Sequence, residues 1–191
     1  MAESLCFDKQ QRLWVGEALE IAESLAEGYF QVNLGNLEQF PYDLQTLVNL
    51  KSQEKTRRAL AQVCKYESSK RTPPLQRKTK EFYRICLQDG KILDTVWAET
   101  SSLALLKPLL LYIVTHELIH VIRFSVDPQR FFLRPEDKKV EEKDVHRMTY
   151  ELLKSFNDPQ VGLWLERYRP WREKYGPHAE LSALDKLCQR A

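Results

Sequence analysis

Two histidines four residues apart, with a glutamate after the first, are the residues of this chain best suited to chemistry: His116-Glu117-Leu118-Ile119-His120. The motif sits inside an apolar run, with Leu109 to Thr115 before it and Val121-Ile122 after it. If that run is helical, the two imidazoles share one face, one turn apart. At that spacing they can bind one zinc ion, and Glu117 can reach a water in the open coordination position. A buried helix whose histidines merely pair with neighbours is the plainer alternative. The chain has only four histidines, and two of them fall in this pattern around a glutamate, which favours the metal.

A catalytic zinc takes three protein ligands and keeps one position for water. A further histidine at the end of H-E-x-x-H-x-x-G-x-x-H is absent, because Arg123 and Val126 stand where the glycine and the last histidine would be. The third ligand must therefore come from a later segment. A helix expected over Glu136 to Phe156 offers Glu141, Glu142, Asp144 and His146. Glu142 and His146 face the same way, together with Tyr150 and Leu153, whereas Glu141 shares the face of Val145, Met148 and Leu152. Periodicity alone does not choose between Glu141 and Glu142.

The elements that must position these groups follow from punctuation and period. Residues 8–29 read as an amphipathic helix with Asp8 as N-cap and Gly28 as its end, with Leu13, Leu19, Ala22 and Leu25-Ala26 on an approximate 3.6 period. Residues 30–41 read as a loop, and Tyr42 to Val63 as a second helix with a polar break at Lys51 to Arg58. Lys65 to Lys80 is the most polar stretch and reads as a solvated linker rather than a nucleic-acid surface, since no aromatic ladder interleaves its cations. Glu81 to Trp97 alternates, and Asp89-Gly90 favours a β-hairpin turn between two strands. The motif helix is expected from Ser101 or Ser102 to Phe124, with Pro108 either kinking it or opening a second helix in its first turn. A loop over Ser125 to Pro135 precedes the acidic helix, and a short helix is expected from Ala179 to Cys188.

The whole chain adds bounds. At 191 residues it is long enough for one domain with a sizeable core. A net charge of +2 argues for neither nucleic acid nor a membrane surface. The run Leu103 to Ile122 nears membrane-spanning length but carries Lys107, Pro108, His116, Glu117 and His120, which are costly in lipid. Cys6, Cys64, Cys86 and Cys188 are scattered without a dense framework, and Met1 to Asp8 does not read as a secretory signal. The expectation is a cytoplasmic protein with reduced thiols and no membrane partner.

The stretch Leu111 to His120 resembles the active-site helix of zincin metallopeptidases, and Glu141 to Leu153 is similar to the second metal helix of the gluzincins. Among these it most resembles the ImmA/IrrE-like group, whose Glu-x-x-Ala-Asn/Asp pattern precedes an apolar helix ending in Leu-Leu. Laid on that pattern, Glu142 takes the ligand position, Val145 the small apolar one and His146 the Asn/Asp one. His146 is a departure, which leaves it open as a ligand itself. The resemblance covers about 110–153.

It implies an α+β, mostly helical fold with a zincin-like core, in which a small β-hairpin or sheet packs on the motif helix. Helices would flank that core at both ends of a single domain, residues 1–191. Its parts would be a helical portion over 1–64, the linker over 65–80, a metal-binding core over 81–156 and a helical portion over 157–191. The activity implied is hydrolysis of a peptide or protein substrate by a zinc-bound water. Zn2+ would be held by His116, His120 and Glu142, with Glu117 as general base and then acid. Tyr150, His146 and His178 are candidate oxyanion donors, and Trp171 and Tyr175 candidate pocket walls. A regulatory role through a protein partner belongs to this expectation.

Two other expectations compete. One is a non-catalytic metal-binding or protein-interaction module on a degenerate zincin fold. The other is a di-iron carboxylate site built on Glu117 and His120, which needs a second Glu-x-x-His. The spacing of Glu142 and His146 is one residue too long for that.

Overall fold

A computed structural model describes residues 5–69, 79–99 and 102–173 of the chain. It is mostly helical with one small three-stranded sheet, an α+β arrangement. In chain order the elements are α1 (Lys9–Phe30), β1 (Tyr42–Gln45), β2 (Ala61–Ser69), β3 (Thr79–Leu87), α2 (Asp89–Glu99), α3 (Leu106–Val126), α4 (Pro135–Leu153), α5 (Pro159–Arg167) and α6 (Arg169–Glu173).

The motif helix, α3, is the centre of the molecule. It is apolar on every face, which is how a helix surrounded by its own protein reads. Leu106 and every residue from Pro108 to Phe124 are buried. The helix is long and apolar enough to cross a bilayer, yet 89% of its most apolar window lies inside the fold. Pro108 falls in its first turn, where the missing N–H removes no intrahelical bond. Helices α1, α4 and α5 and strand β2 pack around it. Its two ends are tied to neighbours: the Trp164 indole donates to the Leu105 carbonyl (3.1 Å) and the Tyr83 hydroxyl to the Phe124 carbonyl (3.1 Å).

Helix α1 starts as its sequence indicates. Asp8 accepts from the Gln11 backbone N–H, and the Gln11 side chain accepts from the Asp8 N–H. It passes Gly28 and ends at Phe30, where Gln31 turns left-handed with φ 53°. The face it buries is Val15, Ala18, Ala22, Ala26 and Phe30, whereas Leu13 is 55% exposed. Ala22 and Ala26 of the expected stripe are buried and Leu19 and Leu25 pack partly against the core, so only Leu13 falls off the face that α1 lays on α3.

Three expected elements are corrected. The helix over Tyr42 to Val63 is absent; that segment forms β1, two 3-10 turns and the start of β2. The linker over 65–80 is cut into by strands, since β2 runs to Ser69 and β3 begins at Thr79; residues 70–78 lie outside the described residues. Lys65, expected in solvent, has a side chain only 5% exposed, paired with Glu81 at 2.7 Å. The N-terminal part over 1–64 is therefore not wholly helical.

The hairpin is real but displaced. It joins β2 to β3, with Ser69 opposite Thr79, and not β3 to the residues after Gly90. Asp89 instead opens α2, and its carboxylate accepts the Phe7 N–H (2.8 Å) and the Leu47 N–H (2.9 Å). A Cβ at Gly90 would lie 3.3 Å from the Leu5 carbonyl oxygen, a tight contact that glycine avoids. The Asp-Gly pair thus serves a helix start under tertiary anchors, while Ile92, Leu93 and Val96 are buried at helical spacing.

The sheet order is β1-β3-β2, with β1 parallel and β2 antiparallel to β3. Tyr83, Ile85 and Leu87 of β3 face the core. The other face carries Arg84, which binds Asp43 through two bonds of 2.8 Å and reaches Glu54 at 3.1 Å. Glu54, fully buried, also accepts from the Tyr66 hydroxyl and from the Lys51 N–H. The acidic helix α4 ends at Leu153, short of the expected Phe156. Cys6, Cys64 and Cys86 form no disulfide with one another; Cys188 and the helix expected from Ala179 to Cys188 lie outside the described residues.

Candidate metal centre

His116 and His120 project from α3 one turn apart, with ring centroids 4.9 Å from each other and both rings buried. Helix α4 lays Glu142 across them. One carboxylate oxygen is 3.4 Å from His116 Nε2, and the other is 3.3 Å from His120 Nε2. Two ligands of a tetrahedral zinc, each at about 2.1 Å from the ion, sit about 3.4 Å apart. These two contacts each have the chemistry and the spacing of neighbouring zinc ligands.

The buried Nδ1 atoms of both histidines make no hydrogen bond among the described residues. All polar contacts of these rings run through Nε2, the atom aimed at Glu142. Burial pushes the Glu142 carboxyl upward, but the two imidazoles outweigh it and hold the group far below the usual range. Burial presses His120 downward, and the facing Glu142 more than reverses this.

The choice between Glu141 and Glu142 is made by α4's rotation. Glu141 also lines the pocket but is turned to Arg123, which grips it with bonds of 2.6 and 2.7 Å, and to Arg130, which adds one of 2.9 Å. Its own burial raises its pKa, but the two guanidiniums win and keep it below the ordinary value. Glu141 is a structural ion-pair partner with no oxygen to spare. Arg123 carried a signal in the sequence that only pairing explains: it stands three residues past His120, one turn along the same helix.

His146, one turn beyond Glu142, is the group that periodicity placed on Glu142's face, and it comes to the centre. Ligand atoms of His116, Glu142 and His146 all lie within 4.8 Å of one another. His120 is not part of that grouping. Through different carboxylate oxygens Glu142 meets His116 Nε2 at 3.4 Å and His120 Nε2 at 3.3 Å, so His116 and Glu142 are shared, and His120 and His146 are each a further donor beside them. Burial, and then the neighbouring His116, push His146 down to about 3, so its ring is neutral. Its Nδ1 lies 2.7 Å from the Tyr112 hydroxyl. Tyr112, four residues before His116, was not singled out in the sequence, although that spacing is a helix turn.

Glu117 lies in the same pocket, and its carboxylate accepts no hydrogen bond among the described residues. Burial raises its pKa, against the lowering effect of His116 and His120. The pocket, about 640 Å³, opens beside these groups and is walled by the edge of β2 from Ala61 to Val63, by Tyr168 and by Trp171. Trp171 takes the wall position expected of it, 5.8 Å from the His146 ring. Tyr150 does not reach the pocket: its ring lies 3.9 Å under the Arg172 guanidinium. Tyr175 and His178 lie outside the described residues.

Comparison of the chain with protein-family models, with curated proteins and with solved structures finds no match.

Proposed function

We propose that this chain is a zinc-dependent metallopeptidase on a zincin-like core, acting on a peptide or protein substrate in a cytoplasmic setting. The observation that carries the reading is the Glu142 carboxylate spanning the Nε2 atoms of both motif histidines, with Glu117 beside them in an open pocket. His116, His120 and Glu142 would hold the ion. A zinc ion bound there supplies the electrophile, acidifying a water to a pKa of about 7 and polarising the scissile carbonyl.

Glu117 then has one task. Poised in a buried site with no competing hydrogen bond, it takes a proton from the attacking water and delivers it to the leaving amide nitrogen. The substrate has a place to lie: β2 pairs only with β3 among the described residues, so its other edge offers N–H and C=O groups to an extended peptide. His146 is positioned to donate to the developing oxyanion if its Nε2 carries the proton, in which case the Tyr112 hydroxyl donates to Nδ1.

The same bond supports a second reading. With the proton on Nδ1, donated to the Tyr112 oxygen, His146 Nε2 becomes a fourth ligand, and a zinc with four protein ligands is structural. The two readings part on substitution. If the site is catalytic, Glu117→Gln abolishes peptide hydrolysis while one zinc per chain remains bound, and His146→Ala keeps that zinc while slowing turnover. If the site is structural, His146→Ala loses zinc affinity and Glu117→Gln changes nothing measurable. Zinc content by elemental analysis, beside a peptide-library assay, separates them.

A further inference from the structure

We infer that the pocket selects substrates carrying a carboxylate near the cleaved bond, and that Arg58 and Lys138 select it; this rests on the peptidase reading. Four cationic side chains line the pocket: Arg58, Lys91, Arg130 and Lys138. Two of them are already engaged. Arg130 pairs with Asp127 at 3.3 Å and with Glu141 at 2.9 Å, and the Lys91 ammonium donates to the Arg57 carbonyl at 2.8 Å. Arg58 and Lys138 are exposed and form no ion pair among the described residues.

Both are placed by the elements that build the centre. Lys138 stands four residues before Glu142 on α4, hence on the same face and about 6 Å along the axis. Arg58 stands three residues ahead of Ala61, where the free edge of β2 begins, a reach of about 10 Å in extended chain. A peptide lying on that edge therefore shares the pocket with a cation just ahead of the edge and a cation one turn from Glu142.

The charge balance points the same way. Of the pocket's three carboxylates, Glu141 is neutralised by Arg123 and Arg130, and Glu142 is committed to the two histidines and the metal. Glu117 alone remains against the unpaired cations and a divalent ion. A cleft with that field favours acidic partners and rejects basic ones. The recognised group is a carboxylate, from an aspartate or glutamate side chain or from the substrate's own C-terminus.

The test uses the full zinc-loaded chain and measures binding apart from turnover. Labelled peptides titrated into the Glu117→Gln protein are followed by fluorescence anisotropy in three arms: an internal glutamate with an amidated end, a neutral sequence with a free C-terminus, and the same neutral sequence amidated. At least one carboxylate arm should bind about tenfold tighter than the neutral amide, with the gain shrinking as salt rises, and the better arm identifies the source. Arg58→Glu with Lys138→Glu should remove the gain without changing zinc content. The single neutral variants Arg58→Gln and Lys138→Gln should each remove part of it, which keeps the test valid if the double variant fails to fold. Equal binding in all three arms, or a gain untouched by every variant, overturns the inference. Cleavage of a random library by the native chain without enrichment of acidic residues overturns it while the peptidase reading stands. No binding and no cleavage of any peptide overturns both.

Discussion

Glu141 and Glu142 are adjacent in sequence and opposite in consequence. Glu141 is 5% exposed and neutralises Arg123, itself 6% exposed. Removing one partner of such a pair leaves a buried charge, which costs about 3–5 kcal/mol. Glu141→Ala should therefore lower the denaturant midpoint sharply. Glu142→Ala should leave the metal-free fold nearly as stable, because its side chain is 46% exposed, but should abolish stoichiometric zinc binding. Equal loss of stability in the two variants, or zinc retained by Glu142→Ala, would reverse the assignment. Periodicity left Glu141 and Glu142 open, the resemblance favoured Glu142, and His146 stayed open as a ligand beside them. What separates the two glutamates is the rotation of α4, set by Val145, Met148, Leu152 and Leu153 packing into the core, and by Arg123 waiting on the neighbouring helix.

At the scale of elements, strong local signals were legible and weak ones were overruled. The capping box at Asp8 and the all-apolar α3 were readable because each is determined by its own residues. The segment from Tyr42 to Val63 was misread because its leucines recur at near-helical spacing while its structure depends on partners: β1 exists only by pairing with β3. The 3-10 turn bearing Glu54 is held against the sheet by Tyr66, Arg84 and the Lys51 N–H.

Burial raises the Glu54 pKa, but those three donors outweigh it and the net shift is downward. A folded-state pKa below the unfolded one means stability that is present above about pH 4.5 and is lost as pH falls through the lowered value. Urea midpoints measured from pH 7 down to pH 3 should fall, and Glu54→Gln should flatten that fall. An unchanged slope in the variant would remove Glu54 from the role of staple.

For the whole molecule, the metal and the fold are linked. The candidate ligands come from two helices, α3 and α4, so an ion bound by the folded state alone stabilises their packing. Zinc at a hundred times its dissociation constant adds about 2.7 kcal/mol, which for a chain of this size raises the melting temperature by on the order of 5–10 °C. A chelator should reverse the rise, and His116→Ala should abolish it. A zinc-dependent shift that persists in His116→Ala would place the ion elsewhere.

The sequence by itself determined the chemistry on offer: two imidazoles and a carboxylate on one turn of a helix, apolar all round and so bound to be central. It could do so because helical spacing is a local property, readable from one segment. Only the tertiary structure decided which acid faces those imidazoles, that His146 and Tyr112 stand beside them, and that an edge strand formed from a segment read as helix walls the pocket. Those are relations between segments distant in the chain. They are set by side-chain packing and strand pairing that no single segment encodes.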